Sequence, residues 1–569
     1  MSWTPDPDVL DFLELIALQN AVEYDGHAAV GSVIGRIMGI RDDLRAHGKS
    51  LAPAVAQSVA KANAFVKEQG LEAAENILRE RSPDLLAPRQ KAERREGLPE
   101  LPQATKGKVV LRFAPNPNGP LSFGHARGIV INGQYAEDYD GELILRFDDT
   151  DTVVKPPLPE AYDRIVNEAT WLLGRAPDRV VIASDRIPVY YEHAERLLEG
   201  KGGYVCTCSA EAFRDLRVAM TPCPCREIDT ATNIERWHMM LDGRFAQGEA
   251  VVRVRTGMDL PNPALRDWPA LRIQETTTAP HPRPEVGSKY RVWPLLDFQS
   301  AVEDHLQGVT HIIRGKDLMD STRKQTLLYA HFGWTYPETM YWGRVKVHEW
   351  GGFSTSAMRS DIESGIYEGW DDPRLPTIAA LRRRGIQPYA LRAFWLELAI
   401  TQKDIAVPLA TLFSHNTSAV DADAHRLAFV RNPVPITLND APPAATLVAY
   451  PNEPERNPRR LNLSHGQVFV EAEDLTDHAP FRLKDLGDVE EQDGAYRISS
   501  LARSDARRIV HWTTLDAEIG VLVMAIDDHI VEVEGRLEPH ALKPGAIVQL
   551  ERIGYAILLD DGRLLLMHE

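Results

Sequence analysis

The chain has 569 residues, 44% of them hydrophobic and 26% charged, which is material for several domains and their cores. It holds no unbroken apolar run of ~18 residues, so no membrane span is expected, and its start, Met1-Ser-Trp-Thr-Pro-Asp6, lacks the basic and apolar regions of a secretory leader, which points to the cytoplasm. A net charge of −18 excludes nucleic-acid binding by a generally basic surface, leaving only a local basic face for that purpose.

Residues 1–81 show Ala-rich helical periodicity with few strand signals, broken at Asp25-Gly26 and Gly39, and are expected to form a helical N-terminal extension. Residues 82–106 mix proline with the charge cluster Lys91-Ala-Glu-Arg-Arg-Glu96 and read as a linker. An apolar run from Val109 to Phe113 then feeds a Pro/Asn/Gly turn that opens into a helical pattern from Leu121. A strand, a tight turn and a helix N-terminus make an anion site, because backbone N–H groups converge there and the helix dipole favours negative charge. The next strand, Glu142–Phe147, ends in Asp148-Asp-Thr-Asp151; a helix is expected over Pro159–Leu173 and a strand over Val180–Ala183. This alternation implies a parallel, doubly wound sheet with its ligands at the strand C-termini.

Residues 201–290 interrupt the pattern, carrying a strand-like Ala250–Arg255 and all four cysteines, Cys206, Cys208, Cys223 and Cys225. Four clustered thiols in a reducing compartment favour tetrahedral Zn²⁺ over disulfides, the plain alternative being reduced thiols in a vestigial site. No water-binding ligand or general base stands beside them, so the metal would be structural. The sheet resumes at Gly308–Arg314, helices are expected within 373–412, and after Phe429 short alternating runs separated by Pro, Gly and Asp follow the pattern of antiparallel barrels.

Four strings agree in order and spacing with one family: Arg112-Phe-Ala-Pro-Asn-Pro-Asn-Gly119, continuing to Ser122-Phe-Gly-His125; Leu145-Arg-Phe-Asp-Asp-Thr-Asp151; Gly308-Val-Thr-His-Ile-Ile-Arg-Gly-Lys-Asp317; and Phe353-Ser-Thr-Ser-Ala-Met-Arg359. They resemble the class I aminoacyl-tRNA synthetases of the glutamyl/glutaminyl subgroup, archaeal glutamyl type, over nearly the whole chain. The resemblance implies an α/β multidomain protein: a Rossmann-type catalytic domain in two halves (107–200 and 291–372) around an inserted zinc-bearing acceptor-end domain (201–290). A helical connecting subdomain (373–420) and anticodon-binding β-barrels (421–569) follow.

It further implies a ligase that activates L-glutamate with ATP and Mg²⁺ and transfers it to tRNA(Glu), with tRNA(Gln) as a second acceptor left open, and a monomer with no membrane partner. Arg112 and Arg314 match the arginines holding the substrate side chain, for which guanidinium supplies charge and planar donors, and Asp148 matches the acid receiving its α-ammonium. Pro115, Asn118, Gly119, Ser122, Gly124, His125 and Asp317 match the ATP site, while His125, Ser354, Ser356 and Arg359 match the groups that handle its phosphates. Each charged residue has a plain alternative as a salt-bridge partner in an α/β core. Asn116 fits the glutamyl type, where glutaminyl enzymes tend to carry Glu. Three positions depart from the pattern: Ser122 replaces the first His of the "HIGH" motif, Ala357 the lysine of the "KMSKS" loop, and Leu296 a pocket tyrosine. Arg359 or Lys346 is expected to make good the missing loop cation. The rival readings are a non-catalytic tRNA-binding paralogue and a glutaminyl enzyme. In the C-terminal part, His511 and Trp512 read as buried barrel residues before base-stacking ones, and Arg456, Arg459 and Arg460 as solvated basic spots.

Overall fold

The computed structural model describes residues 5–24, 26–41, 43–44, 48–86, 97–350, 354–463, 466–476, 478–502 and 507–569. Met1 to Thr4, Asp25, the charge cluster Lys91–Glu96 and Phe353, all used above, lie outside them. The chain divides into two compact units, residues 1–95 and 96–569. Among the described residues, no helix is long and apolar enough to cross a membrane.

The first unit is all-helical: α1 (Pro7–Glu23), α2 (Val30–Ile40), α3 (Gly48–Gln69) and α4 (Leu71–Arg81). Helix α1 starts where Pro7 follows Asp6, whose Oδ1 accepts from Val9 N–H at 2.8 Å. Helix α3 buries Leu51, Val55, Val59, Ala62 and Val66, one face at helical spacing, against Leu13, Ile16 and Ala17 of α1. Ala29 gives α2 no side-chain cap, and two asparagines serve instead: Asn20 accepts from Ala29 N–H (3.0 Å) and Asn63 from Ala28 N–H (2.7 Å).

The second unit opens with β1 (Val110–Phe113), α5 (Phe123–Asp138), β2 (Glu142–Phe147), α6 (Pro159–Leu173) and β3 (Arg179–Ile182), forming the parallel order β1-β2-β3. Helix α5 begins two residues later than its pattern suggested, because Ser122 is extended (φ −84°, ψ 166°) and caps it. Strand β3 is shifted by one residue, and Ala183 instead opens a 3₁₀ turn, Ala183–Arg186. Helix α7 (Ile187–Glu199) leads to an inserted antiparallel sheet of β4 (Gly203–Cys206), β5 (Val251–Val254), β6 (Pro269–Ile273) and β7 (Val292–Pro294). Helices α8 (Ala210–Val218) and α9 (Thr230–Leu241) lie between β4 and β5 in the chain.

The parallel strands then return, with α10 (Leu296–Leu306), β8 (His311–Gly315), α11 (Met319–Phe332) and β9 (Glu338–Trp342); β8 pairs β9 in parallel. Glu142 N–H donates to the Val109 carbonyl at 2.8 Å, and Thr310 N–H to the Val110 carbonyl at 3.0 Å. Successive carbonyls of a strand point to opposite sides, so β8 enters on the side of β1 away from β2. That reversal of direction opens a crevice at the C-terminal ends of β1 and β8, where doubly wound sheets bind ligands. The wall above it continues with β10 (Val345–Val347), α12 (Thr355–Glu363), α13 (Ile378–Arg383), α14 (Pro388–Leu398), β11 (Ile405–Val407) and α15 (Leu409–Val420); β10 pairs β11 in parallel.

Two seven-stranded sheets and a two-stranded one, Ala444–Leu447 with Arg459–Asn462, make up the rest. Strands β12 (His425–Leu427) and β13 (Phe429–Arg431) are separated only by Ala428, yet they occupy opposite edges of the first sheet, so the chain itself brings those edges together. Strands Arg508–Val510 and Thr513–Thr514 do the same for the second. Both sheets are thereby barrel-like, and neither long edge is left open. Trp512 lies at the second closure, buried in that core, with its Nε1 donating to the Lys484 carbonyl at 2.9 Å. Arg459 is no solvated spot: it is buried and bonds Glu538 (2.6 Å) and Glu551 (2.7 Å).

Candidate active site

The Pro/Asn turn is fixed by its neighbours. Asp148 N–H donates to the Pro115 carbonyl (3.1 Å) and Leu158 N–H to that of Pro117 (2.8 Å). Gly119 must lack a side chain, because a Cβ there would stand 2.5 Å from Thr355 Cγ2 and 3.2 Å from Trp370. The turn therefore abuts the start of α12. Further on, Phe123 N–H donates to the Pro376 carbonyl and Ile378 N–H to that of Leu121, both at 2.8 Å. Phe123 packs among Trp350, Phe394 and Trp395 at ring-centroid distances of 5.0, 5.3 and 4.8 Å, an aromatic anchor for the first turn of α5.

Within that turn, Ser122 and His125 form a reciprocal capping box. Ser122 Oγ accepts from His125 N–H at 3.3 Å, and Ser122 N–H donates to His125 Nδ1 at 3.2 Å. Serine is a good N-cap residue, which gives Ser122 a role histidine would fill poorly. The acceptor role of Nδ1 puts the ring hydrogen on Nε2. Burial, and then the nearby Lys155 charge, push the imidazole pKa down to about 4, so His125 is a neutral donor at pH 7.

A cavity of about 590 Å³ opens at this helix start, lined by Ser122, Gly124, His125, Asp317 and Ser354 among the expected residues. It also takes in Arg127, Arg344, Lys346 and Thr355. Pro115, Asn118, Gly119 and Ser356 do not line it. Ser354 is the N-cap of α12, accepting from Ala357 N–H at 3.2 Å, and its Oγ lies 3.4 Å from that of Ser356. Arg359 departs from expectation: its Nε bonds Glu363 at 2.8 Å, one helical turn on, and it does not line the cavity. Lys346, the other residue expected to supply the loop cation, does line it.

A second cavity of about 200 Å³ adjoins the first, and Gly315 and Trp342 line both. It collects Arg112, Asp148 and Arg314 from the ends of β1, β2 and β8, and Leu296 stands at its rim, half exposed. Two further buried charges complete a network. Arg146 donates to Asp148 (Nε, 2.8 Å) and to Asp304 (Nη1, 2.6 Å), Arg112 Nε donates to Asp304 at 3.2 Å, and Gln299 donates to Asp148 at 2.9 Å. Among the described residues, Arg314 has only Gln325 as a side-chain hydrogen-bond partner, at 3.1 Å, and its Nε is buried without one.

Three guanidiniums thus face two carboxylates, all buried. Burial opposes the Asp304 charge, but Arg112, Arg146 and Arg314 outweigh it and hold that carboxyl below its usual range. For Asp148 burial wins over Arg146 and Gln299, and its pKa is raised. Burial and the like charge of Arg112 lower that of Arg314. Asp297, which also lines the cavity, is paired with Lys324 at 2.8 Å, so the count still leaves one guanidinium in surplus, an arrangement that suits an acidic side chain.

Residues 108–421 match the family model described as "tRNA synthetases class I (E and Q), catalytic domain". The chain belongs to this family. Residues 424–499 match its "anti-codon binding domain". The chain is 43% identical to a glutamate–tRNA ligase of Methanosarcina mazei over 97% of each chain, and 42% identical to those of Methanothrix thermoacetophila (98% of each) and Methanosarcina acetivorans (97% of each).

Away from the crevice, the four cysteines converge at the end of β4. Their sulfurs lie within 4.8 Å of one another, with Cys206–Cys223 at 3.9 Å and Cys208–Cys225 at 3.8 Å. A tetrahedron built on Zn–S bonds of about 2.3 Å has edges of about 3.8 Å, so the donor set fits such an ion. Sequence reasoning missed Arg146, Asp304, Gln299 and Arg127. Arg127 is buried, donates to the Gly343 (2.8 Å) and Ala399 (3.0 Å) carbonyls, and lies over Trp342 and Trp395, with no carboxylate partner among the described residues.

Proposed function

We propose that this synthetase is a glutamate–tRNA ligase. Its smaller cavity receives glutamate and its larger one ATP, and the observation carrying this reading is the buried surplus of one guanidinium beside a shared wall. Arg112 and Arg314 hold the side-chain carboxylate, while Asp148 receives the α-ammonium. A neutral glutamine side chain would leave the surplus charge unmet, which disfavours the glutaminyl alternative. The α-carboxylate then faces the larger cavity. One of its oxygens attacks the α-phosphorus of ATP, the bond to the bridging oxygen breaks, and pyrophosphate leaves with the electron pair. The enzyme's contribution is alignment and charge stabilisation. The start of α5, the His125 Nε2–H, and the α12 N-terminus with Ser354 supply donors to the phosphates, Mg²⁺ arrives with ATP, and Asp317 offers an acceptor to the nucleotide. In the second step a terminal ribose hydroxyl of tRNA attacks the adenylate carbonyl and AMP leaves.

The inserted sheet guides the tRNA 3′ end, with Cys206, Cys208, Cys223 and Cys225 holding a structural zinc that fixes its tip. The barrel-like sheets read the anticodon. The protein works as a monomer in the cytoplasm, as the family resemblance implies. Charging tRNA(Glu) and tRNA(Gln) with labelled glutamate and glutamine tests the assignment. Glutamate on tRNA(Glu) is the expected product, with tRNA(Gln) as a second acceptor if its anticodon is tolerated. Glutaminyl-tRNA, or a folded, tRNA-bound protein that charges nothing, overturns it.

A further inference from the structure

Ala357 occupies the first turn of α12, where the family resemblance calls for a lysine, and a methyl group carries no charge to offer a leaving phosphate. The helix itself does not compensate, because Arg359 is engaged with Glu363. The cavity lining does hold other cations. Arg344 and Lys346 both line it, together with Ser354 and Thr355. Val345 and Val347 of β10 pack against the core under α5 and line the cavity as well, while strand alternation puts residues 344 and 346 together on the exposed face, from which they border it. The two differ in their surroundings. Arg344 N–H donates to Asp404 Oδ1 at 2.6 Å, so a carboxylate stands beside its backbone, although the other oxygen of that group pairs with Lys316 at 2.9 Å. Lys346 is held in register opposite Ala406, and among the described residues it makes no ion pair. It is a cation on a backbone fixed by strand pairing, with no carboxylate partner among the described residues.

We infer that Lys346 is the residue that binds the β- and γ-phosphates of ATP and stabilises the departing pyrophosphate, doing from the β10 strand what a lysine at position 357 would do from the loop. This rests on the ligase reading. The contact is purely electrostatic: when the α-phosphorus bond breaks, the electron pair stays on the pyrophosphate oxygen, the ammonium offsets that charge, and no proton moves. Thr355 and Ser354 approach the same phosphates from the start of α12, so loop and strand grip them jointly.

The test is glutamate-dependent ATP–pyrophosphate exchange with cognate tRNA present, run on wild type, Lys346→Gln, Lys346→Arg, and Ala357→Lys in both the wild-type and Lys346→Gln backgrounds. Lys346→Gln is expected to lower kcat on the order of 10²-fold, as loss of one preorganised charge stabiliser does, with the KM for glutamate unmoved and the melting temperature unchanged. Lys346→Arg should keep most of the rate. Ala357→Lys should restore the Lys346→Gln enzyme to within about tenfold of wild type, since it puts a cation back by the other route. Lys346→Gln exchanging as fast as wild type, or a loss that neither Arg at 346 nor Lys at 357 repairs, overturns the inference and leaves the ligase reading standing. A folded wild-type chain that does not exchange at all overturns that reading, and the role of Lys346 with it.

Discussion

The two adjoining cavities meet charge in opposite ways. In the smaller one, five charged side chains are buried and four of them interlocked through Arg146, Asp148, Asp304 and Arg112 at 2.6–3.2 Å. In the larger one, among the described residues, Lys346 is an exposed cation without an ion pair and Arg127 a buried one held by two carbonyls and two tryptophan rings. On the ligase reading proposed above, the contrast follows from what each cavity would bind. Glutamate is small and must be told from a near-isosteric amide, so its site is stiffened during folding and left one charge short. ATP brings several negative charges of its own, and a site with loose positive charge lets the nucleotide complete the electrostatics. On that reading, discrimination is built into the rigid cavity, and affinity for phosphate into the open one.

The largest expected effect breaks the rigid side of that contrast. In Arg112→Ala, Asp304 keeps Arg146 but the cavity loses its surplus charge. Breaking a buried charge network typically costs about 3–5 kcal/mol, so kcat/KM for glutamate should fall on the order of 10²–10⁴-fold with the KM for ATP nearly unchanged. Steady-state exchange at varied glutamate and varied ATP separates the two. Glutamate activation within tenfold of wild type would mean that the smaller cavity is not the amino-acid site.

What was legible in the sequence follows the same division. Arg112, Asp148 and Arg314 sit at strand ends inside long motifs, and position along the chain sufficed to bring them together. Arg146 and Asp304 are partners 158 residues apart, and nothing local shows that Arg146 is wholly buried in its strand. Arg359 carried a signal that was passed over: Glu363 stands four residues on, the ordinary spacing of a helical ion pair. Arg459 was misread because Arg459-Arg-Leu-Asn462 looks like a basic spot, whereas its strand alternates and turns Arg459 and Leu461 inward. The barrel-like closures were illegible because β12 and β13 are three residues each, and a one-residue joint between opposite sheet edges leaves no compositional mark.

Zinc gives the next effect. Metal analysis should find one ion per chain, and chelation or Cys223→Ser should lower the melting temperature by about 5–10 °C, the shift a few kcal/mol produces in a domain of this size. The glutamate KM should not move, since the cysteines lie away from both cavities. A metal-free chain whose melting is indifferent to chelator would make the cluster four reduced thiols. The inserted sheet would then be held by its hydrophobic core and by ion pairs such as Arg226–Asp267.

The smallest effect sharpens the open side, and it concerns His125. The capping bond from Ser122 N–H occupies Nδ1, and the pKa of about 4 keeps the ring neutral, so on the proposed reading phosphate would meet an N–H dipole there and take its full charges from Lys346 and Arg127. The ordinary histidine value is about 6.5. With the folded value lower, the unfolded chain takes up the proton first as pH falls. The stability tied to neutral His125 is therefore complete above about pH 6.5 and is lost between there and pH 4. Denaturation of wild type and His125→Gln at pH 7.5 and 5 should show a gap that shifts against wild type at the lower pH, by ~1–2 kcal/mol, less than the full shift because the residue is partly exposed at the cavity. An NMR titration of the ring gives the same answer directly. An imidazole that titrates near 6.5 would be charged through part of the working range, and the phosphate end of the crevice would then carry a pH-dependent cation at the signature helix in addition to the fixed one on β10.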